Sequence, residues 1–120
     1  MSTAIFIEDS FDSAHFLPNV PHGHKCSRMH GHTYRIRIEI VGKIDEKSGW
    51  IMDYAALKTV WHEIKEQLDH KTLNDVIPNP TCELIAGWIA LKLGEAGDCF
   101  FPDRIELRET EHCGVVWDQF

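Results

Sequence analysis

Apolar and polar residues alternate strictly along Tyr34-Arg35-Ile36-Arg37-Ile38-Glu39-Ile40, with the isoleucines on one face and charges on the other. That period of two predicts a half-buried strand. An earlier strand opens at Ala4-Ile5-Phe6-Ile7 and runs, with or without a bend, to His15. Between the two, Pro18 to Arg28 carries two prolines, Gly23 and many polar groups and is predicted as a loop. Gly42 and the stretch from Asp45 to Gly49 close the second strand with a turn. The period then changes. Leu57, Val60, Trp61, Ile64 and Leu68 recur three and four apart, which predicts a helix capped by Asp53 and ending near Asp69-His70. Pro78-Asn79-Pro80 forbids its continuation. Thr81 can cap a second helix, Glu83 suits its first turn, and Leu84, Ile85, Trp88, Ile89 and Leu93 form its apolar face before Gly94 and Gly97 stop it. Two short strands follow, Arg104 to Thr110 and Val115 to Trp117, around a turn at His112-Cys113-Gly114.

The order ββααββ, with strands and helices segregated, predicts an α+β domain over residues 1–120: a four-stranded antiparallel sheet with two helices packed on one face. An open sheet of four strands has two free edges, and free edges invite pairing with another copy. At 120 residues the core is modest, so self-association is expected to help.

A formal charge of -7, with acids spread along the chain, argues against nucleic acid as a partner. No apolar run is long enough to cross a membrane, and the N-terminus alternates apolar and acidic residues unlike a signal peptide, so a cytoplasmic protein with reduced thiols is expected. The composition is unusual in one respect: eight histidines, four of them between His22 and His32. None of the four cysteines forms a C-x-x-C pair, which disfavours a cysteine-rich structural zinc site.

His30 and His32 lie two apart, so strand geometry extended back from Tyr34 puts both rings on the face of Ile36 and Ile38. Gly31 between them removes bulk, and His15 at the end of the preceding strand can supply a third ring. Three histidines with no fourth protein ligand describe a catalytic zinc site with an open position. Cys26, four residues before His30, can be a fourth ligand, a base or an inert thiol; Cys82, Cys99 and Cys113 read as structural. Asp69-His70 at a helix end is suited to proton transfer, or is a solvated helix-end pair. Glu109 shares strand parity with Ile105 and Leu107, which aims a carboxylate at an apolar face unless the strand ends or bulges first. His22, His24, Lys25 and Arg28 give the loop a local positive bias that can meet a phosphate or simply be a mobile polar segment, whereas His62, Glu63 and His112 read as solvated.

These residues resemble a known family. Cys26-Ser27-Arg28-Met29-His30-Gly31-His32 matches the Cys-x-x-x-His-Gly-His signature of 6-carboxy-tetrahydropterin synthases, within the 6-pyruvoyl-tetrahydropterin synthase superfamily. Ser13-Ala14-His15, Leu68-Asp69-His70 with Leu73-Asn74, Pro80-Thr81-x-Glu83 and Glu109-Thr110 are similar to later elements of that family, in the right order over nearly the whole chain. The resemblance implies the tunnelling fold, whose sheets join across subunits into a barrel, usually a hexamer made as a dimer of trimers. It implies Zn2+ held by His15, His30 and His32, Cys26 as a base, Asp69 and His70 as a proton relay, and Glu109, Thr81 and Glu83 as substrate-binding residues. The implied substrate is 7,8-dihydroneopterin triphosphate, converted to 6-carboxy-tetrahydropterin, acetaldehyde and triphosphate on the route to queuosine. After Thr110 the tail Glu111-His112-Cys113-Gly114 departs from the pattern. Alternatives are 6-pyruvoyl-tetrahydropterin synthase activity, whose usual signature has two more residues between the cysteine and His-Gly-His, a three-histidine zinc hydrolase, and a non-catalytic metal-binding protein.

Overall fold

The structure is a computed structural model and describes residues 1–119. Two long strands, β1 (Thr3–His15) and β2 (His30–Gly42), pair antiparallel over their full length, from Thr3 opposite Gly42 to His15 opposite His30. Helices α1 (Tyr54–Lys65) and α2 (Cys82–Ala96) follow, then β3 (Arg104–Arg108) and β4 (Gly114–Asp118). The strands lie side by side in chain order, β1-β2-β3-β4, in one antiparallel sheet. This is the ββααββ arrangement expected from the alternation.

The core forms where the two periodicities meet. Ile7 and Phe11 of β1, Tyr34, Ile36, Ile38 and Ile40 of β2, and Ile105 and Leu107 of β3 share the inner face of the sheet. Against it pack Leu57, Trp61 and Ile64 of α1 and Ile85, Ala86, Ile89 and Leu93 of α2. Both caps form as expected: the Asp53 carboxylate accepts from the Ala55 N–H at 2.9 Å, and the Thr81 hydroxyl accepts from the Leu84 N–H at 3.2 Å.

Several boundaries differ from the expectation, each for a visible reason. Regular α1 ends at Lys65 and not near Asp69-His70, because Leu68 and Asp69 both donate to the Lys65 carbonyl in a tightened last turn. Leu84 is exposed, and the buried stripe of α2 runs instead through Cys82, Ala86 and Ala90, small residues that let the helix sit close to the sheet. Gly94 does not stop α2. A Cβ there would lie 2.6 Å from the Phe101 ring, so the glycine makes room for an aromatic and the helix ends at Gly97. Strand β3 closes at Arg108, before Glu109 and Thr110. Of the cysteines read as structural, only Cys82 is buried; Cys99 and Cys113 are exposed.

Below Ser13 and His15, the inward face of β1 carries a further polar residue, Asp9. The Asp9 carboxylate accepts from the Trp61 indole at 2.8 Å and from Lys65 at 3.1 Å, tying α1 to the sheet. Burial alone would raise its pKa, but the Trp61, Ser10 and Lys65 hydrogen bonds outweigh that and hold it below the ordinary value. A depressed carboxylate contributes stability that is complete above the unfolded value of 3.8 and is lost as pH falls through the folded one. Asp9→Asn is therefore expected to lose about 1 kcal/mol at neutral pH. It should also show a shallower loss of stability on acidification than the parent in denaturant titrations. Identical acid limbs would show that Asp9 makes no pH-linked contribution.

Candidate metal centre

The β1–β2 register brings the end of one strand to the start of the other. His15 sits directly opposite His30, and Ser13 opposite His32. All three rings project from the inner face at the sheet's end, with ring centroids of His15–His30, His30–His32 and His15–His32 at 4.5, 4.9 and 5.2 Å. One potential ligand atom from each of the three lies within 4.8 Å of those of the other two, and Cys26 is not part of that group. His15 is fully buried.

The hydrogen bonds fix the tautomer of two rings. His15 Nδ1 donates to the Pro80 carbonyl at 2.8 Å, and His30 Nδ1 donates to the Arg28 carbonyl at 2.7 Å. A carbonyl only accepts, so each neutral ring carries its proton on Nδ1. The two Nε2 atoms then face one another with lone pairs at 3.0 Å. Two lone pairs at that distance repel unless a proton or a metal ion lies between them. His32 adds a third orphan: its Nε2 is buried without a hydrogen bond, although Glu109 Oε1 approaches to 3.2 Å out of line. Burial, reinforced by His15 and His30, holds the His32 pKa below the ordinary histidine value against the opposing pull of Glu109. Three imidazoles with their Nε2 atoms converging form a donor set that suits a divalent transition metal such as zinc. Carbonyls from Pro80 and Arg28 fix two of the rings, as outer partners of metal-bound histidines do.

Glu109 reaches this centre from just past the end of β3. Its N–H donates to the Cys113 carbonyl at 3.0 Å in the β3–β4 turn, and its side chain stays on the inner side. Gly114 makes that hairpin possible, since a Cβ there would lie 2.2 Å from the Leu107 carbonyl oxygen. Gly31, by contrast, is not forced by bulk: a Cβ would meet only the Ser13 carbonyl at an ordinary 3.5 Å.

Asp69 and His70 form a pair on the other side of β1. The Asp69 carboxylate accepts from the Asp12 N–H at 2.9 Å through one oxygen and from His70 Nδ1 at 2.9 Å through the other. The Asp12 N–H first, and His70 after it, keep Asp69 below the usual carboxylate range. His70 has a φ of +57°, a left-handed conformation uncommon in a non-glycine residue. The turn sends residues 70–72 along the free edge of β1, where His70 N–H donates to Asp12 and Thr72 bridges Ala14. The exposed His70 ring borders a cleft of about 570 Å³, which is also lined by the outward positions Asp12, Ala14, Gly31 and Thr33 and by Ser13 and His32.

Cys26 lies half-buried in a single 3₁₀ turn, Lys25–Ser27. Its carbonyl accepts from Leu17, two residues past His15, at 2.8 Å. Thr81 is occupied as the α2 cap, and Glu83 is exposed in the first turn of that helix. Sequence reasoning missed the outer partners. The carbonyls of Pro80 and Arg28 have no side-chain signal. Asn74 was named by the resemblance, but its role, pinning the backbone of Phe16 through two bonds of 3.0 and 2.8 Å, shows only once the two segments are known to be adjacent. Tyr34, buried beneath the cluster with its hydroxyl 3.3 Å from His15 Nδ1, shares the parity of His30 and His32 and was findable.

Comparison with known proteins agrees with this geometry. The profile described as 6-pyruvoyl tetrahydropterin synthase matches residues 4–119. A 6-carboxy-5,6,7,8-tetrahydropterin synthase of Synechocystis sp. is 41% identical over 100 residues, covering 78% of this chain and 76% of its own. A dihydroneopterin monophosphate aldolase of Pyrococcus furiosus is 36% identical over 117 residues, covering 96% of each. In structure, the 6-pyruvoyl tetrahydropterin synthase of Caenorhabditis elegans superposes with a TM-score of 0.88 at 23% identity, covering 100% of this chain and 97% of that one, which establishes the shared fold.

The purified protein is expected to bind about one divalent metal per chain, as a three-ligand site does. His30→Ala should lose most of it while keeping its melting behaviour in the metal-free state, because the ring lies at a strand end. Metal analysis finding full occupancy in that variant would remove the cluster from consideration.

Proposed function

This chain belongs to the 6-pyruvoyl tetrahydropterin synthase family, and from that premise we propose that it is a zinc-dependent lyase of the 6-carboxy-tetrahydropterin synthase type. It converts 7,8-dihydroneopterin triphosphate to 6-carboxy-5,6,7,8-tetrahydropterin, acetaldehyde and triphosphate, a step toward the 7-deazaguanine base queuosine. The observation that carries the reading is the pair of facing lone pairs on His15 and His30, completed by the orphaned nitrogen of His32 and followed by the Cys26 spacing of that signature.

Zinc held by His15, His30 and His32 supplies Lewis acidity toward the neighbouring hydroxyls of the substrate side chain. The chain's own groups do the rest. Cys26, on a turn anchored beside His15, removes a carbon-bound proton as a thiolate. Asp69 stays ionised, holds the His70 Nδ1 proton and so leaves Nε2 as the atom that exchanges a proton with the ring system. Glu109 presents two oxygens to the two parallel N–H donors of a pterin edge. Thr81 and Glu83, next to the carbonyl that orients His15, flank the substrate. Among the described residues the outer edges of β4 and of the first half of β1 are unpaired, which supports a closed assembly, a hexamer built as a dimer of trimers.

The relative in Pyrococcus furiosus favours a second reading, aldol cleavage of dihydroneopterin monophosphate. Incubation with the triphosphate and with the monophosphate, followed by mass analysis of the products, separates the two. Carboxy-tetrahydropterin and acetaldehyde are expected from the triphosphate. Turnover confined to the monophosphate would establish the aldolase.

Cys26→Ala is expected to keep its zinc and bind pterin but lose on the order of a hundredfold or more in rate, the usual worth of a positioned acid-base group. Zinc lost together with activity would instead make Cys26 a ligand. Glu109→Gln, which turns an acceptor toward the pterin into a donor, should weaken pterin binding by at least about tenfold with metal content unchanged. Unaltered affinity would remove Glu109 from the pterin site.

A further inference from the structure

The chain carries 19 acidic residues among 120, yet none between Asp12 and Glu39. That acid-free interval holds the three clustered histidines, Cys26 and the whole loop from β1 to β2. The loop is built and not slack. His24 N–H donates to the Pro21 carbonyl at 3.0 Å, and Ser27 N–H to the His24 carbonyl at 3.0 Å. The His24 ring accepts from the Cys26 N–H at 3.1 Å, and Leu17 ties the turn to the end of β1. On this frame Lys25 and Arg28 flank Cys26, both exposed and neither in an ion pair among the described residues. Arg28 is also the residue whose carbonyl orients His30, so its side chain starts from a backbone fixed to the metal centre. Lys71, the cation beside His70, donates to the Glu66 carbonyl at 2.8 Å and is committed there.

A polyphosphate tail needs a planar fork of donors and additional positive charge, close to the reacting carbons but off the metal. We propose that Lys25 and Arg28 hold the phosphate tail of the substrate, and that this pair sets the preference for a triphosphate over a shorter chain. The assignment rests on the pterin reading above and names the part of that site which grips the leaving group. Arginine supplies the bidentate contact and lysine a point charge, while the acid-free interval keeps competing carboxylates out of the loop and the strand ends it joins.

The test uses the zinc-loaded full chain and two oxidised analogues, neopterin and neopterin triphosphate, with binding read by pterin fluorescence. The parent should bind the triphosphate more tightly, with a preference that falls as salt rises. The double variant Lys25→Gln with Arg28→Gln should lose at least about tenfold of that preference, as expected when charge-assisted contacts are removed. It should keep its zinc content and its affinity for neopterin. Arg35→Gln, on the outward face of β2 and also without an ion pair, is the control for diffuse charge and should bind like the parent. A double variant that retains the preference, or an Arg35 variant that loses as much, overturns the assignment and leaves the lyase reading standing. If neither analogue binds any form of the protein, the pterin reading falls and this one with it.

Discussion

The antiparallel register between β1 and β2 is the constraint on which the molecule rests. It puts His15 opposite His30 and Ser13 opposite His32, and the same alignment turns Tyr34, Ile36, Ile38 and Ile40 inward. Because side chains alternate, a slip of one residue would turn every one of them to the other face. The isoleucines would leave the core, and the two imidazoles of β2 would leave the cluster. Metal geometry and hydrophobic burial are therefore enforced together. The close approach of two imidazole lone pairs, unfavourable by itself, is held by core packing distributed along the strand.

Much of this was legible because it depends on parity. The His-x-His spacing, the partner at the end of the preceding strand and the inward aim of Glu109 all follow from a period of two. Glu109 keeps its inward direction even though regular β3 stops one residue earlier, at Arg108. The segments that were harder to read depend on the path of the backbone. Nothing in the side chains of Leu68 and Asp69 announces that α1 tightens and ends at Lys65, since Leu68 remains on the buried stripe. The left-handed turn at His70 and the carbonyls of Pro80 and Arg28 carry no compositional mark. In α2, Leu84 misled, because close packing against the sheet selected the small Ala86 and Ala90, while Ile85, Ile89 and Leu93 lie in the core as expected.

Similar groups behave differently according to their surroundings. Asp9 and Asp69 are both held below the ordinary carboxylate range, the first by a helix indole and ammonium on the inner face, the second by a strand N–H at an edge. Among the thiols, Cys82 donates to the Leu107 carbonyl, and burial, aided by the nearby Glu109 charge, pushes its pKa up to about 12. It is a packing residue at neutral pH. Cys26 sits half-buried in a turn between Lys25 and Arg28, with no acidic residue near it in sequence.

The loop from Phe16 to Met29 begins and ends on residues paired across the sheet, His15 and His30. Its ends are therefore clamped by the strand ladder whatever its length or content. An insertion between Cys26 and Arg28 would carry the thiol to a new position while the strand ladder and the Arg28 carbonyl keep the three rings in place. The same holds for Lys25, next to the thiol. Structurally, the loop is an interchangeable cassette on a fixed metal frame. On the proposed reading, the frame would confine the reaction to substrates that can approach three imidazoles, and the cassette would set which carbon the thiol reaches. A family built this way can change its product by editing a few loop residues while the fold, the core and the metal centre stay as they are.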